Sequence, residues 1–109
     1  MNIVEKKQDD VMLLEIHGRL DTTNYRELED RMINLMEKEK KIIIDCKEMN
    51  YISSVGMRVF LMALKHLKNN DGQLRLSGLT DDTKQIFDVA GFATFFDIYN
   101  TAEEAIRFF

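Results

Sequence analysis

Ile42-Ile43-Ile44-Asp45-Cys46-Lys47-Glu48-Met49-Asn50-Tyr51-Ile52-Ser53-Ser54-Val55-Gly56-Met57-Arg58 passes from an apolar run through a polar connection into an amphipathic segment. Its β-branched triplet has no polar alternation, which suits a strand covered on both faces. Beyond it, Met57, Phe60, Leu61, Leu64 and Leu67 recur at helical spacing and make the inward stripe of a long helix. A polar connection, Asp45–Tyr51, joins the two. Where the helix begins stand two adjacent serines and a glycine. Serine is a preferred helix cap. A phosphate placed there would meet unsatisfied backbone N–H groups and the positive end of the helix dipole.

Upstream of this unit, residues 2–8 and 11–17 read as two strands joined through Asp9-Asp10. The second strand is apolar on both faces in its first part (Val11 to Leu14), which places it inside a sheet, and Gly18 is expected to end it. Gly18-Arg19-Leu20-Asp21-Thr22-Thr23-Asn24 is a loop dense in capping residues. Tyr25, Leu28, Met32, Leu35 and Met36 then form one helical stripe. Asn24 with Glu27 fits a variant capping box, with Asp21, Thr22 and Thr23 as alternative caps. The charged run Glu37–Lys41 reads as a solvated helix end.

Downstream, Asn70-Asp71-Gly72 signals a turn, and Gln73–Ser77 alternates as a strand nearer the sheet edge. Thr80-Asp81-Asp82 opens a third helix, with Ile86, Phe87 and Ala90 expected inward and Gly91 as its C-terminal cap. Phe92, Phe95 and Phe96 lead into a short strand near Asp97-Ile98-Tyr99. Thr101-Ala102-Glu103-Glu104 fits a capping box for a last helix with Ala105, Ile106 and Phe109 inward. Strands alternating with helices imply right-handed crossovers and a largely parallel sheet, to which the opening hairpin adds an antiparallel strand. The expected architecture is α/β: one domain over 1–109, a mixed, mostly parallel sheet of about five strands packed with about four helices.

Composition narrows the chemistry. At 109 residues, 45% hydrophobic and 31% charged, the chain is globular in character and long enough for a core of its own. The net charge of −4, with no Lys/Arg run on one face, argues against a nucleic-acid partner. A single cysteine, Cys46, forms no internal disulfide and fits a reducing cytosol, so a cytoplasmic location is expected. No secretory leader or membrane-length apolar run is read, so no membrane insertion is expected.

A serine hydrolase needs Gly-x-Ser-x-Gly, but Ile52-Ser53-Ser54-Val55-Gly56 lacks the first glycine, and His17 and His66 lie on a strand and late on a helix. A receiver domain needs an acidic pair after its first strand, whereas Asp9-Asp10 lies in a hairpin turn. Two distant histidines and one cysteine have no metal-ligand spacing. No cofactor and no catalytic residue are expected. What remains is Ser54, or alternatively Ser53, as a phosphorylation site, with Arg58 four residues on and on the same helical face.

The order of elements and the segment Ile42–Leu61 resemble the STAS domain family, with the nearest likeness to bacterial anti-sigma factor antagonists. The family pattern is an apolar strand ending in Asp or Asn, then an apolar-Asp-Ser-small-Gly-Leu opening to a helix. Here it is matched by Ile43-Ile44-Asp45 and Tyr51-Ile52-Ser53-Ser54-Val55-Gly56-Met57. Gly18-Arg19-Leu20-Asp21, Ile86–Phe92 and Thr101–Ala105 resemble other family segments. The resemblance implies phosphorylation of Ser54 by an anti-sigma factor with serine kinase activity, and resetting by a PP2C-type phosphatase. It implies partner binding through Asp21, Thr22, Thr23, Ser53, Ser54, Val55, Gly56, Met57 and Arg58. It also admits a scaffold subunit of a transporter or signalling complex that is never phosphorylated. Ser53 stands where the family has an acid, which leaves two neighbouring hydroxyls, and Arg58 stands where a small residue is frequent.

Overall fold

The computed structural model describes residues 1–109. In chain order the elements are β1 (Asn2–Gln8), β2 (Val11–Leu20), α1 (Tyr25–Met36), β3 (Lys41–Asp45), β4 (Met49–Ile52), α2 (Ser54–Asn69), β5 (Gln73–Ser77), α3 (Asp81–Val89), a 3₁₀ turn (Ala93–Phe95), β6 (Asp97–Tyr99) and α4 (Ala102–Arg107). The sheet runs β1-β2-β3-β5-β6, with β4 paired to β2 off this path. Only β1 is antiparallel to its neighbour. The mixed, mostly parallel sheet and four helices agree with the sequence reading.

Alternation along the strands sorts side chains onto two faces. Met12, Leu14, Ile16, Ile42, Ile44, Leu74 and Leu76 join the main core, which also takes in Leu28, Met32, Phe60, Leu67 and Phe87 from α1, α2 and α3. Phe60, Phe87 and Phe96 meet as a ring cluster with centroids 6.0 to 6.5 Å apart. On the other face, Val11 and Ile43 pack on Ala105 of α4. This two-sided burial is the reason the Ile42–Ile44 triplet has no polar member.

The sixth strand is what the sequence reading lacked. Met49–Tyr51 belongs to the expected Asp45–Tyr51 connection, but together with Ile52 it pairs in parallel with the end of β2. Gly18 does not end β2. It sits at φ +96°, beside a register shift, and its N–H donates to the Glu48 carbonyl at 3.0 Å. This bulge-like irregularity lets one long strand pair first with β3 and then with β4. Two other expectations need correction. Ala90 is exposed, because only Ile86 and Phe87 of the expected trio turn toward the core. Asn24 occupies the N-cap of α1, but its side chain bonds no first-turn amide. Arg75 and Ser77, polar members of an alternating strand, are buried under the α4 side. The Arg75 guanidinium bonds the Ala105 carbonyl at 2.9 Å and lies 4.1 Å from the Phe109 ring centroid.

Candidate functional site

The site grows from the paired ends of β2 and β4. Leu20 and Ile52 are register partners, and the Ser53 N–H donates to the Leu20 carbonyl at 2.9 Å. Both side chains are fully buried, so the chain leaves the sheet at one place in two segments: the Asp21 loop after β2, and Ser53 at the head of α2. The register therefore brings the start of the Asp21–Thr23 loop alongside Ser53 at the head of α2.

Ser53 and Ser54 hold different positions. Ser53 is the N-cap of α2, with extended backbone (φ −88°, ψ 170°), and its Oγ accepts from the Gly56 N–H at 3.3 Å. Ser54 is the first helical residue; it is exposed, and its hydroxyl makes no hydrogen bond within the chain. Val55 is half-buried and Arg58 is exposed. Gly56 and Met57 are buried, so neither offers a side chain to a partner. Gly56 is dictated from within: a Cβ there would lie 2.8 Å from Leu20 Cγ and 2.9 Å from Ile52 Cγ1.

The Asp21 loop is held by its own polar groups. The Asp21 carboxylate accepts from Thr23 Oγ1 at 2.6 Å and Thr23 N at 2.9 Å, and Arg19 Nε lies 3.5 Å from its other oxygen. These Thr23 bonds, with the nearby Arg19 charge, hold the Asp21 carboxyl below the ordinary carboxylate range. Asn24 accepts from the Asp21 N–H and donates to the Arg19 carbonyl, closing the loop. Thr22 is exposed. Sequence reasoning missed Arg19 and Tyr51, whose guanidinium and ring stack at 4.3 Å beside the site. They are register partners on β2 and β4, a pairing that appears only once β4 is recognised as a strand.

Asp45, 2% exposed, acts in shaping the connection. Its Oδ1 accepts from the Lys47 N–H at 3.2 Å. Burial pushes its carboxyl above the ordinary value, against the opposing effect of Lys47. Burial likewise raises the Cys46 thiol far out of the reactive range. Asp45 and Glu15 line a cavity of about 380 Å³ beside α4, and no residue from Ser53 to Arg58 lines any cavity in the molecule. The candidate site is thus an exposed surface suited to a macromolecular partner rather than a pocket for a small ligand. No helix is long and apolar enough to cross a membrane.

The family model described as the STAS domain matches residues 2–105, and the chain belongs to that family. BtrV of Bordetella bronchiseptica, described as a candidate anti-sigma factor antagonist, is 29% identical over 110 residues, covering 100% of this chain and 95% of that protein. The anti-sigma-B factor antagonist of Bacillus subtilis is 25% identical over 107 residues, covering 98% of each. Among solved structures, the Bacillus anti-sigma factor antagonist SpoIIAA superimposes with a TM-score of 0.76 at 16% identity, both unphosphorylated and phosphorylated. The alignments cover 97% of this chain and 96% and 97% of those chains, and they show a shared fold.

Proposed function

We propose that this chain is an anti-sigma factor antagonist working as a phosphorylation-controlled switch in the cytoplasm. It binds an anti-sigma factor with serine kinase activity while Ser54 is unmodified and releases it once Ser54 carries a phosphate. The observation that carries this reading is the division between two adjacent hydroxyls: Ser53 Oγ is engaged by the Gly56 N–H, and Ser54 Oγ is exposed and free. Ser54, not Ser53, is the acceptor. The curated relatives' names and the SpoIIAA structures in two phosphorylation forms support the same reading.

In the transfer step the Ser54 Oγ attacks the γ-phosphorus of ATP. The new O–P bond forms as the bond to the ADP oxygen breaks, and the hydroxyl proton passes to a base on the kinase. The chain itself contributes no catalytic group. Its docking surface is the Asp21-Thr22-Thr23 loop with Ser53, Ser54, Val55 and Arg58, backed by Gly56 and Met57. Phosphate adds about −1.5 to −2 charges and a tightly held hydration shell, which an interface accepts only at a cost. A PP2C-type phosphatase hydrolyses the ester and restores binding.

The test is to incubate the chain with the partner kinase and ATP and map phosphate by mass spectrometry. Modification at Ser54 is expected. A kinase that binds the chain but modifies neither serine would overturn the switch.

A further inference from the structure

Helix α2 carries no acidic residue anywhere in Ser54–Asn69. Arg58 is exposed and takes part in none of the molecule's ion pairs, whereas Arg19 and Arg31 each pair with a carboxylate. Helical geometry puts residues three and four positions away beside a side chain. For Arg58 these are Ser54, Val55, Leu61 and Met62. Three are apolar, and only Ser54 is able to acquire a charge. Its hydroxyl is exposed and unbonded, because Ser53 already caps the helix. The acidic residue of the adjoining loop, Asp21, is held by Thr23 and Arg19.

We propose that Arg58 is the phosphate-holding residue of the switch, pairing with phosphoserine at position 54 across one turn of α2. The inference rests on Ser54 being the modified residue. It means that the phosphorylated corner is partly neutralised within the chain: the modification fixes the Arg58 guanidinium toward Ser54 and withdraws it from the partner, while adding a phosphate beside it. Release then has two components, an added anion and a sequestered cation. Both follow from the placement of Arg58 one helical turn beyond Ser54.

The experiment does not need the kinase. Phosphoserine is installed at position 54 during translation, and the phosphate is titrated by phosphorus NMR in the otherwise unchanged chain, in Arg58→Gln and in Arg58→Lys. A pair of the usual helical strength lowers the second phosphate pKa by about 0.3 unit relative to Arg58→Gln. The lysine variant is expected to fall between, and high salt to remove the difference. Equal phosphate pKa values in the three proteins, or a higher one with arginine, would overturn the proposal. Arg58 is exposed, so the substitutions leave the core intact, and a proton–nitrogen spectrum of each variant checks this. Failure of the kinase to modify Ser54 would sink the switch but not this reading of the local chemistry. Equal titrations would do the reverse.

Discussion

Gly56 lies so close to Leu20 that a methyl group on it would fall 2.8 Å from the leucine Cγ. That approach fixes the angle at which α2 leaves the sheet, and with it the presentation of Ser54. The atoms in the way are the branch carbon of Leu20 and the Cγ1 of Ile52, both in fully buried side chains with little room to move. Gly56→Ala gains roughly 1 kcal/mol of helix propensity. Overpacking of this kind costs about 1–3 kcal/mol. The overpacking wins over most of that range, and a net loss of up to about 2 kcal/mol is expected in urea unfolding. An unchanged or raised midpoint would show that Leu20 and Ile52 yield without strain.

The two serines should separate in stability as they do in structure. Ser53→Ala removes the only side-chain cap on α2 and is expected to cost about 1 kcal/mol. Ser54→Ala touches an exposed hydroxyl with no partner and should stay within about 0.5 kcal/mol of the parent. Ser53→Asp keeps an N-cap acceptor and should hold parental stability. Equal losses for the two alanine variants would refute the assignment of the cap to Ser53.

How much of this was written in the sequence depends on the length of each signal. The Ile42–Ile44 triplet and the α2 stripe were legible because burial on a sheet and on a helix face imposes periodicities that need only a few residues to read. β4 was not, since four residues with an exposed Asn50 in the middle carry no pattern distinct from a loop. Gly18 read as a strand end because glycine weakens a strand interior, yet here, at positive φ, it sits at the register shift through which β2 continues. Arg75 escaped because its burial depends on Ala105 and Phe109, thirty or more residues away. Ser53 and Ser54 were both legible as candidate helix caps, and only the structure assigns the cap to Ser53.

The two buried carboxylates of the sheet respond to pH in opposite directions. Burial raises the folded-state value of Asp45 above its ordinary 3.8. The folded chain therefore keeps that proton to higher pH than the unfolded chain, and stability declines as pH rises through the window above 3.8. Glu15 is lowered, chiefly by its bond from Lys6, so its contribution is present above its ordinary 4.5 and is lost as pH falls through the lowered folded value. Asp45→Asn retains an acceptor for the Lys47 N–H and removes only the first effect. The stability of the variant relative to the parent should therefore rise with pH above 3.8 and then level off, in urea unfolding at a series of pH values. A difference that does not vary with pH would mean that the Asp45 carboxyl titrates alike in the folded and unfolded chains.

Charge at position 54, rather than loss of the hydroxyl, should control partner binding. Ser54→Ala leaves the Ser53 cap and the Asp21 loop in place, so the kinase should be held with parental affinity and never released by ATP. Ser54→Asp places one negative charge at the same exposed helix start and should bind at least about tenfold more weakly, a change of about 1.4 kcal/mol. Aspartate has fewer oxygens and less charge than phosphoserine, and its shorter reach gives Arg58 a poorer partner. It should therefore imitate the phosphorylated state only in part, and authentic phosphoserine should weaken binding further. Calorimetric titration of the kinase with the three proteins decides the matter. Equal affinities for alanine and aspartate would remove position 54 from the interface. Full release by aspartate would show that a single charge suffices, without the second component supplied by Arg58.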